Sequence, residues 1–344
     1  MDTVRIGFVG AGYMGQLAHL GNFVQLDGCK VVALAERRPR LARLVADHYR
    51  IPKVCASHEE LCADPDIDAI VEITSDDMHA PVALDAMNAG KHVYLEKPMA
   101  TNLADAKAMV EAEARNGVKL VIGYMKRYDS GIELAKRLID GFRASSELGA
   151  ITHMRAHCFG GDWICNIGKH LTTDETYPAV ERRPPPGFSE QEIRDFYFIN
   201  NVYCHDINLI RHLVGEVQSV KYADLAGTTK LMVFGMDGFD VSLEVGRLAA
   251  NFWDEEFKIY FENGWVEIHT PPPLLRNTPA KVHVYKGGSS HEHSQPQAIW
   301  DWAFRRADEH FVNCILNDER PRSTGADSIR DLELFDEVFR RFYR

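Results

Sequence analysis

The sequence predicts an α/β protein with a doubly wound parallel sheet in its N-terminal part and an α+β domain after it. Short apolar runs alternate with helical patterns up to residue 124, whereas hairpin-forming runs prevail from residue 125 onward. A glycine-rich turn joins the first apolar run to the first helical pattern. We therefore predict two domains, over residues 1–124 and 125–344.

Six apolar runs in the first domain are too short for helices and predict buried strands. These runs are residues 4–10, 30–36, 52–57, 67–74, 91–97 and 118–124. Apolar residues at helical spacing predict the intervening helices, at residues 13–26, 38–49, 80–90 and 102–117. Strands that alternate with helices in this way form βαβ units, which is why the sheet is expected to be parallel.

The turn after the first strand has the pattern G-x-G-x-x-G. In a dinucleotide-binding (Rossmann) βαβ unit, the first glycine allows the tight turn and the second lets the backbone approach a pyrophosphate. The third lets the helix pack closely on the strand, and the helix N-terminus offers unpaired N–H groups to the phosphates. We therefore predict cofactor contacts from the whole turn, namely Gly10, Ala11, Gly12, Tyr13, Met14 and Gly15.

Glu36 ends the second predicted strand, about 20 residues after the glycine turn, where dinucleotide-binding proteins carry an acid. A carboxylate at this place accepts hydrogen bonds from the adenosine ribose and repels a 2′-phosphate, which favours NAD. Arg37, Arg38 and Arg40 follow, and an arginine can pair with a 2′-phosphate or stack on adenine. We predict NAD, with Glu36 and Arg37 among its contacts, and NADP stays an open alternative.

Two further motifs follow strands four and five: I-T-S-D-D-M-H at residues 73–79 and Glu96-Lys97-Pro98. Together with G-Y-M-K-R-Y-D (123–129) and the helix at 205–215, they make nearly the whole chain resemble the Gfo/Idh/MocA oxidoreductases. The E-K-P motif is the most specific of these signals. The resemblance implies an N-terminal Rossmann domain and a C-terminal domain with an open, mostly antiparallel sheet. It also implies NAD(P)-dependent oxidation of a hydroxyl on a sugar, sugar derivative or cyclitol.

The resemblance also implies site residues. Lys97 matches the family's catalytic and substrate-orienting lysine, and His205 matches its catalytic histidine. Imidazole chemistry suits His205 as general base and an ammonium suits Lys97 as the group that stabilises charge on the oxygen, although the reverse assignment stays open. Cofactor-side positions are implied for Thr74, Ser75, His79, Glu96, Lys97 and Arg127.

The chain departs from the family pattern at several places. Asn201 stands four residues before His205, where the family often has Asp, and the strand-four turn reads Ser75-Asp76 rather than Pro-Asn. Without the Asp, a charge that raises the basicity of the histidine is missing from that position. Two alternatives therefore stay open: a non-catalytic dinucleotide-binding regulator, and a glycosidase that uses bound NAD.

Residues 161–204 are polar and aromatic and directly precede His205, so we predict that part of this segment lines the substrate pocket. A tryptophan stacked on a sugar ring among polar groups is typical of such a pocket. The candidate substrate contacts are Lys97, Asp162, Trp163, Asn201 and His205, and beside them Asn166, Lys169 and His170. The segment has no metal-ligand spacing, so we predict no metal site.

The rest of the second domain reads as successive strands closed by two helices. The predicted strands lie within residues 149–160, 217–225, 230–236, 239–246 and 257–270, and the last of these runs contains the hairpin turn E-N-G at 262–264. The closing helices are 297–318 and 328–344. In resembling proteins one face of this sheet pairs with a second copy, which implies a homodimer or homotetramer.

Composition and charge narrow the partners and the location. The chain carries a formal net charge of −11 at pH 7 and no basic block, which argues against nucleic acid and anionic membranes as partners. It shows neither a transmembrane run of roughly 18 apolar residues nor a signal-peptide pattern. Its seven cysteines form no C-x-x-C pair. We therefore expect reduced thiols and a cytoplasmic protein.

Overall fold

The computed structural model describes residues 2–344, and the chain divides into two compact units. The first unit comprises Met1–Tyr124, Gly168–Asn201 and Phe304–Leu332, and the second comprises Met125–Ile167, Val202–Ala303 and Glu333–Arg344. The chain first changes unit after Tyr124. The segments 168–201 and 304–332, which the two-domain prediction assigned to the second domain, belong to the first unit.

The first unit contains a six-stranded parallel sheet with the order β3-β2-β1-β4-β5-β6. The predicted Rossmann-type doubly wound sheet is confirmed. Its strand order reverses between β1 and β4, and ligands of such sheets bind at the carboxyl ends of the strands beside that reversal. The strands are β1 (Val4–Val9), β2 (Cys29–Ala35), β3 (Lys53–Cys55), β4 (Ala69–Glu72), β5 (His92–Leu95) and β6 (Leu120–Ile122).

The helices of this sheet follow the predicted alternation, with one addition. The first helical segment is a π-helix at Gly15–Leu20 continued by α1 (Gly21–Phe23). The added helix, α3, begins after Ser57, whose hydroxyl accepts a hydrogen bond from the Glu60 N–H at 3.4 Å, while Glu60 accepts one from the Ala56 N–H. This reciprocal cap was readable as S-x-x-E in the sequence. The remaining helices are α2 (Pro39–Tyr49), α3 (His58–Cys62), α4 (Asp76–Asn88) and α5 (Leu103–Asn116).

The second unit contains an eight-stranded sheet with the order β14-β13-β12-β11-β7-β10-β9-β8. Only β7 and β10 pair in parallel, so the predicted mostly antiparallel sheet is confirmed. β13 and β14 were not predicted, although β13 alternates buried valines with half-exposed polar residues. The strands are β7 (Ile151–Gly160), β8 (Ser219–Asp224), β9 (Lys230–Gly235), β10 (Asp240–Arg247), β11 (Asp254–Phe261), β12 (Gly264–His269), β13 (Lys281–Lys286) and β14 (Glu292–Ser294).

Helix α7 is longer than the sequence predicted: it runs over Glu190–Val214, whereas a helix was predicted only from residue 205. Ser189 and Glu192 cap its start reciprocally, with the Glu192 N–H 3.3 Å from the serine hydroxyl and the Ser189 N–H 2.6 Å from the Glu192 carboxylate. Along the first half of α7, buried side chains recur at helical spacing. The many polar residues between them made this period hard to recognise in the sequence. The remaining helices are α6 (Ser130–Ser145), α8 (Ala303–Leu316) and α9 (Gly325–Tyr343), and a 3₁₀ turn spans Met125–Tyr128. Among the described residues, no helix is both long and apolar enough to cross a membrane.

Candidate active site

The glycine turn after β1 has the geometry that a dinucleotide requires. Gly10 has a φ of +91°, and a Cβ there would lie 2.2 Å from the Ile73 carbonyl oxygen. A Cβ on Gly15 would lie 2.4 Å from the Gly10 oxygen, so both positions exclude a side chain. A Cβ on Gly12 would meet no atom within 4 Å. The space in front of Gly12, at the start of the first helical segment, is thus open to a pyrophosphate.

Glu36 follows β2 and lies beside the glycine turn, as predicted. Its carboxylate accepts a hydrogen bond from the Ala11 N–H at 2.9 Å and three from Arg38, at 2.8, 3.0 and 3.1 Å. Four donors occupy the lone pairs that two carboxylate oxygens offer. Glu36 can therefore accept ribose hydroxyls only when Arg38 gives up part of its bidentate bond, a competition that the sequence did not reveal.

We expect Glu36→Ala to shift cofactor preference towards NADP. The substitution removes an acceptor for the ribose and frees Arg38 to meet a 2′-phosphate. The affinity for NAD should fall by about 1–3 kcal/mol, the usual loss when a donor is left unpaired, and the affinity for NADP should fall less. Titration of both reduced cofactors by fluorescence measures the two dissociation constants. Glu59→Ala, an exposed acid on the same cavity, is the control, and equal losses for both cofactors would remove Glu36 from the ribose site.

A cavity of about 510 Å³ opens beside Glu36, and part of the 161–204 segment lines it. In the first unit, residues 177–181 of this segment lie on the cavity formed by the ends of β1, β2 and β4. The lining of the substrate pocket by another part of the segment stays a prediction. The Arg38 guanidinium lies 5.1 Å from the centre of the Tyr177 ring, and Arg37 donates to the Ala179 carbonyl. These residues were missed because no local pattern links them to the glycine turn.

Further contacts fasten the same segment across the first unit. Gln16 and Leu171 exchange two hydrogen bonds of 2.8 and 3.0 Å. The carboxylate of Glu175 accepts the N–H groups of Arg40 and Leu41 at 3.0 Å each, at the start of α2. Arg183 forms a bidentate bond of 2.6 Å with Asp105 on α5. The segment thus has fixed positions along the edge where the cofactor residues lie.

The strand-four turn contributes Thr74, Ser75 and His79. The Ser75 hydroxyl is buried without a hydrogen-bond partner in the described residues, which fits a polar ligand at this place because buried hydroxyls are normally paired. Thr74 bonds the buried carboxylate of Glu72. The His79 ring is buried and lies 2.7 Å from the Pro98 carbonyl. It therefore helps to hold the E-K-P loop in place, and its predicted contact with the cofactor stays a prediction.

Glu96 links the E-K-P loop to a buried ion cluster. One Glu96 oxygen accepts the Lys97 N–H at 3.1 Å, and the other lies 3.0 Å from His19, whose second ring nitrogen is 2.8 Å from Asp308. Burial alone lowers the pKa of His19, but the two carboxylates outweigh it and raise that pKa to about 10. His19 is therefore an imidazolium held between two acids, and Glu96, predicted as a cofactor contact, is already part of this cluster.

Lys97 itself points to the first half of α7. Its ammonium donates to the backbone carbonyl of Asn201 at 2.8 Å. The Asn201 side-chain amide in turn lies 3.0 and 3.1 Å from the two carboxylate oxygens of Asp76, at the start of α4. A carboxylate, that of Asp76, thus lies within hydrogen-bond distance of the side chain at position 201. His205 follows Asn201 by four residues on α7.

In the second unit, His205 is half-buried and is followed by a buried charged cluster. Burial raises the pKa of Asp206 well above its usual range, and the neighbouring Glu255 carboxylate adds to this rise. Lys126 is buried in an ion pair with Glu255. Arg127, predicted as a cofactor contact, is also buried and donates to the side-chain oxygen of Asn208 at 2.6 Å, so its cofactor role stays a prediction.

The remaining predicted substrate residues serve local structure in the second unit. The Asp162 carboxylate accepts the N–H groups of Ile164 and Cys165 at 3.0 Å each, which closes a turn. Trp163 is exposed, and its carbonyl accepts the Leu274 N–H at 3.2 Å. Their contact with substrate stays a prediction.

These features define a dinucleotide-binding Rossmann unit: a parallel sheet with a strand-order reversal, a glycine turn after β1, an acid after β2 and a lysine after β5. The family model described as an oxidoreductase family with an NAD-binding Rossmann fold matches residues 4–124. This match confirms the predicted resemblance to the Gfo/Idh/MocA oxidoreductases over residues 4–124 and the predicted NAD-type cofactor.

The similarity of this chain to known proteins extends beyond the first unit. Inositol 2-dehydrogenase of Salmonella typhimurium is 38% identical over 151 residues, 43% of this chain and 43% of that protein. The chain therefore aligns with less than half the length of that relative. Inositol 2-dehydrogenase of Burkholderia multivorans is 27% identical over 286 residues, 79% and 76% of the two chains. Aldose-aldose oxidoreductase from Caulobacter crescentus shares the fold, with a TM-score of 0.76 at 22% identity over 98% and 97% of the two chains.

Proposed function

We propose that this protein is an NAD(P)-dependent dehydrogenase that oxidises a hydroxyl group of a sugar, sugar derivative or cyclitol, or reduces the matching ketone. The observation that carries the proposal is the anchored Lys97 at the end of β5, on the same sheet edge as the open glycine turn. The similarity to inositol 2-dehydrogenases supports a polyol substrate.

The residues present fit the cofactor. The glycine turn would hold the pyrophosphate of the cofactor, and Glu36 and Arg37 would hold its adenosine ribose. Ser75 and Thr74 would contact the portion of the cofactor that passes the end of β4. Bound NAD(P) supplies the hydride acceptor for the reaction. The protein's own task is to place the polyol and to move the hydroxyl proton.

Lys97 and His205 divide that task. The Lys97 ammonium donates a hydrogen bond to the reacting oxygen and stabilises the charge that develops as its proton leaves. The His205 imidazole accepts that proton, and returns it in the reverse direction. Glu96 and the Asn201 carbonyl hold Lys97 at its backbone N–H and at its ammonium, so few rotamers of this long side chain remain available.

The test is a polyol panel with the purified protein. Myo-inositol, scyllo-inositol, glucose and xylose are each incubated with NAD or NADP, and absorbance at 340 nm reports net reduction. Net reduction with at least one polyol is the expected result. Cleavage of an aryl glycoside without net reduction would point to the glycosidase, and cofactor binding without either reaction would point to the regulator.

We also propose that two copies associate through one face of the eight-stranded sheet. Tyr260, Trp265 and Tyr285 lie opposite one another on β11, β12 and β13, and the last two rings stack at 5.7 Å. All three are half-buried, whereas Val266 and Ile268 fill the other face. Such aromatic surface supports an interface rather than free solvent exposure.

We expect Trp265→Glu to convert the dimer to a monomer, because it places a charge at the centre of this face. Light scattering after gel filtration measures the mass. Tyr222→Glu, at an exposed position of edge strand β8, serves as the matched control and should leave the mass unchanged. A parent protein that elutes as a monomer, or a Trp265→Glu variant that stays associated, would contradict the assignment of this face.

A reducing compartment is the third part of the proposal. All seven cysteines are free thiols, and five of them are buried. Free thiols persist in the cytoplasm, where disulfides are rare. Cell fractionation followed by detection of the protein tests this location.

A further inference from the structure

We propose that Asp76 is a positioning residue for Lys97: its carboxylate fixes the side chain of Asn201, and thereby the peptide carbonyl that holds the Lys97 ammonium. The inference rests on the proposed function, in which Lys97 contacts the reacting oxygen. All three residues belong to the first unit.

Lys97 needs a fixed acceptor because its side chain has four rotatable bonds. The acceptor is a backbone oxygen, 2.8 Å from the ammonium. No side-chain substitution at position 201 removes a backbone carbonyl, so its place depends on how this turn of α7 is held. The Asn201 amide fastens that turn to α4, because it lies 3.0 and 3.1 Å from the two oxygens of Asp76.

Asp76 is itself well placed to be a rigid partner. It is the first residue of α4, where the N-terminal end of a helix favours a carboxylate. It is half-buried, which shields the hydrogen bond from full competition by water. The adjacent Asp77 accepts hydrogen bonds from the Tyr197 hydroxyl and the Arg183 N–H, so two successive acids of α4 hold two successive turns of α7.

The charge of Asp76 matters as well as its shape. A hydrogen bond to an ionised group is roughly twice as strong as one between neutral groups. An amide at position 76 could still bond the Asn201 amide, but only in the weaker neutral form. Carboxylates at both positions 76 and 201 would repel each other. One amide and one carboxylate, in either order, would form the charge-assisted hydrogen bond again.

This symmetry gives a substitution cycle: Asp76→Asn, Asn201→Asp and the double exchange. Each single variant should lower kcat for myo-inositol with NAD about tenfold or more, since small misplacement of a reacting group is costly. KM and the dissociation constant of NAD should stay near the parent values. The double exchange should recover kcat to within about threefold of the parent, because the charged hydrogen bond is rebuilt.

A second readout needs no substrate. Acetic anhydride labels lysine amines, and peptide mass spectrometry reports the rate at Lys97. Loss of the fixed acceptor should raise that rate about fivefold in Asp76→Asn, and the double exchange should return it to the parent rate, since the charge-assisted bond is restored. Asp85→Asn, an exposed position on the same helix, should change neither readout.

The outcomes separate this inference from the proposed function. Parental kcat and parental labelling of Lys97 in Asp76→Asn would overturn the inference, and so would a double exchange that shows the product of the two single losses. A purely structural role in α4 would lower the thermal midpoint without rescue by Asn201→Asp. If Lys97→Met keeps parental turnover, Lys97 does not act on the reacting oxygen and the inference fails with it, whereas a parent that reduces NAD(P) with no polyol would contradict the proposed function. If Lys97→Met is inactive while Asp76→Asn is unaffected, only the role of Asp76 falls.

Discussion

Lys97→Met is expected to lower kcat by about 10² or more while cofactor affinity stays near that of the parent. The substitution keeps the length and apolar stem of the side chain but removes the only part that can stabilise charge on the reacting oxygen. The lysine lies at the end of β5, whereas the glycine turn and Glu36 lie at the ends of β1 and β2. Binding of the adenosine half of the cofactor therefore does not depend on it.

Steady-state rates on the best polyol of the panel and fluorescence titration of NADH provide the two measurements. Lys107→Met, an exposed lysine on α5, is the matched control and should leave both unchanged. Lys97→Arg keeps the positive charge but changes the donor geometry, so it should recover only part of the rate. Turnover close to the parent in Lys97→Met would remove Lys97 from the mechanism.

The second large effect concerns stability: His19→Leu should cost about 3–5 kcal/mol of unfolding free energy. His19 is fully buried and lies between the carboxylates of Glu96 and Asp308, at 3.0 and 2.8 Å. Removing the imidazolium leaves two acids buried without their shared cation. Urea unfolding at neutral pH measures the loss, and His48→Leu, at an exposed histidine of α2, controls for the substitution.

The same cluster predicts how stability depends on pH. The pKa of His19 is raised from 6.5 to about 10 in the folded protein, where burial opposes the charge but Asp308 and Glu96 outweigh it. A folded-state pKa above the unfolded value gives stability that is complete below about pH 6.5 and is lost as the pH rises to about 10. The unfolding free energy should therefore fall across this range in the parent.

His19→Gln should lack that part of the decline, because glutamine can bond the two acids but carries no titrating proton. The measurement is the unfolding free energy from urea titrations at several pH values between 6 and 10, for the parent, His19→Gln and His48→Gln. A parallel decline in the parent and in His19→Gln would show that His19 does not hold its proton in the folded state.

The two units differ in how far local pattern determined them. The alternation of short apolar runs with helical periods predicted the parallel sheet, because each βαβ unit is encoded within about 30 residues. The spacing of Gly10, Gly12 and Gly15 and the position of Glu36 were readable for the same reason. The helix over Glu190–Val214 was only partly readable, because its polar first half concealed the period that its buried residues follow.

By itself, the sequence determined the fold class, the resemblance to the Gfo/Idh/MocA oxidoreductases, and the placement of the glycine turn, Glu36 and Lys97 at strand ends. Tertiary structure alone decided their partners. Arg38 donates a hydrogen bond to the Glu36 carboxylate, and Tyr177 lines the cavity beside Glu36. Asp308 lies within hydrogen-bond distance of His19, which is 289 residues away in sequence. These contacts join segments that are distant in sequence, and no periodicity or spacing encodes which polar groups meet when the elements pack. The Asp76–Asn201 pair is of this kind: each residue departs from the family pattern, and only the folded chain brings the two departures within hydrogen-bond distance.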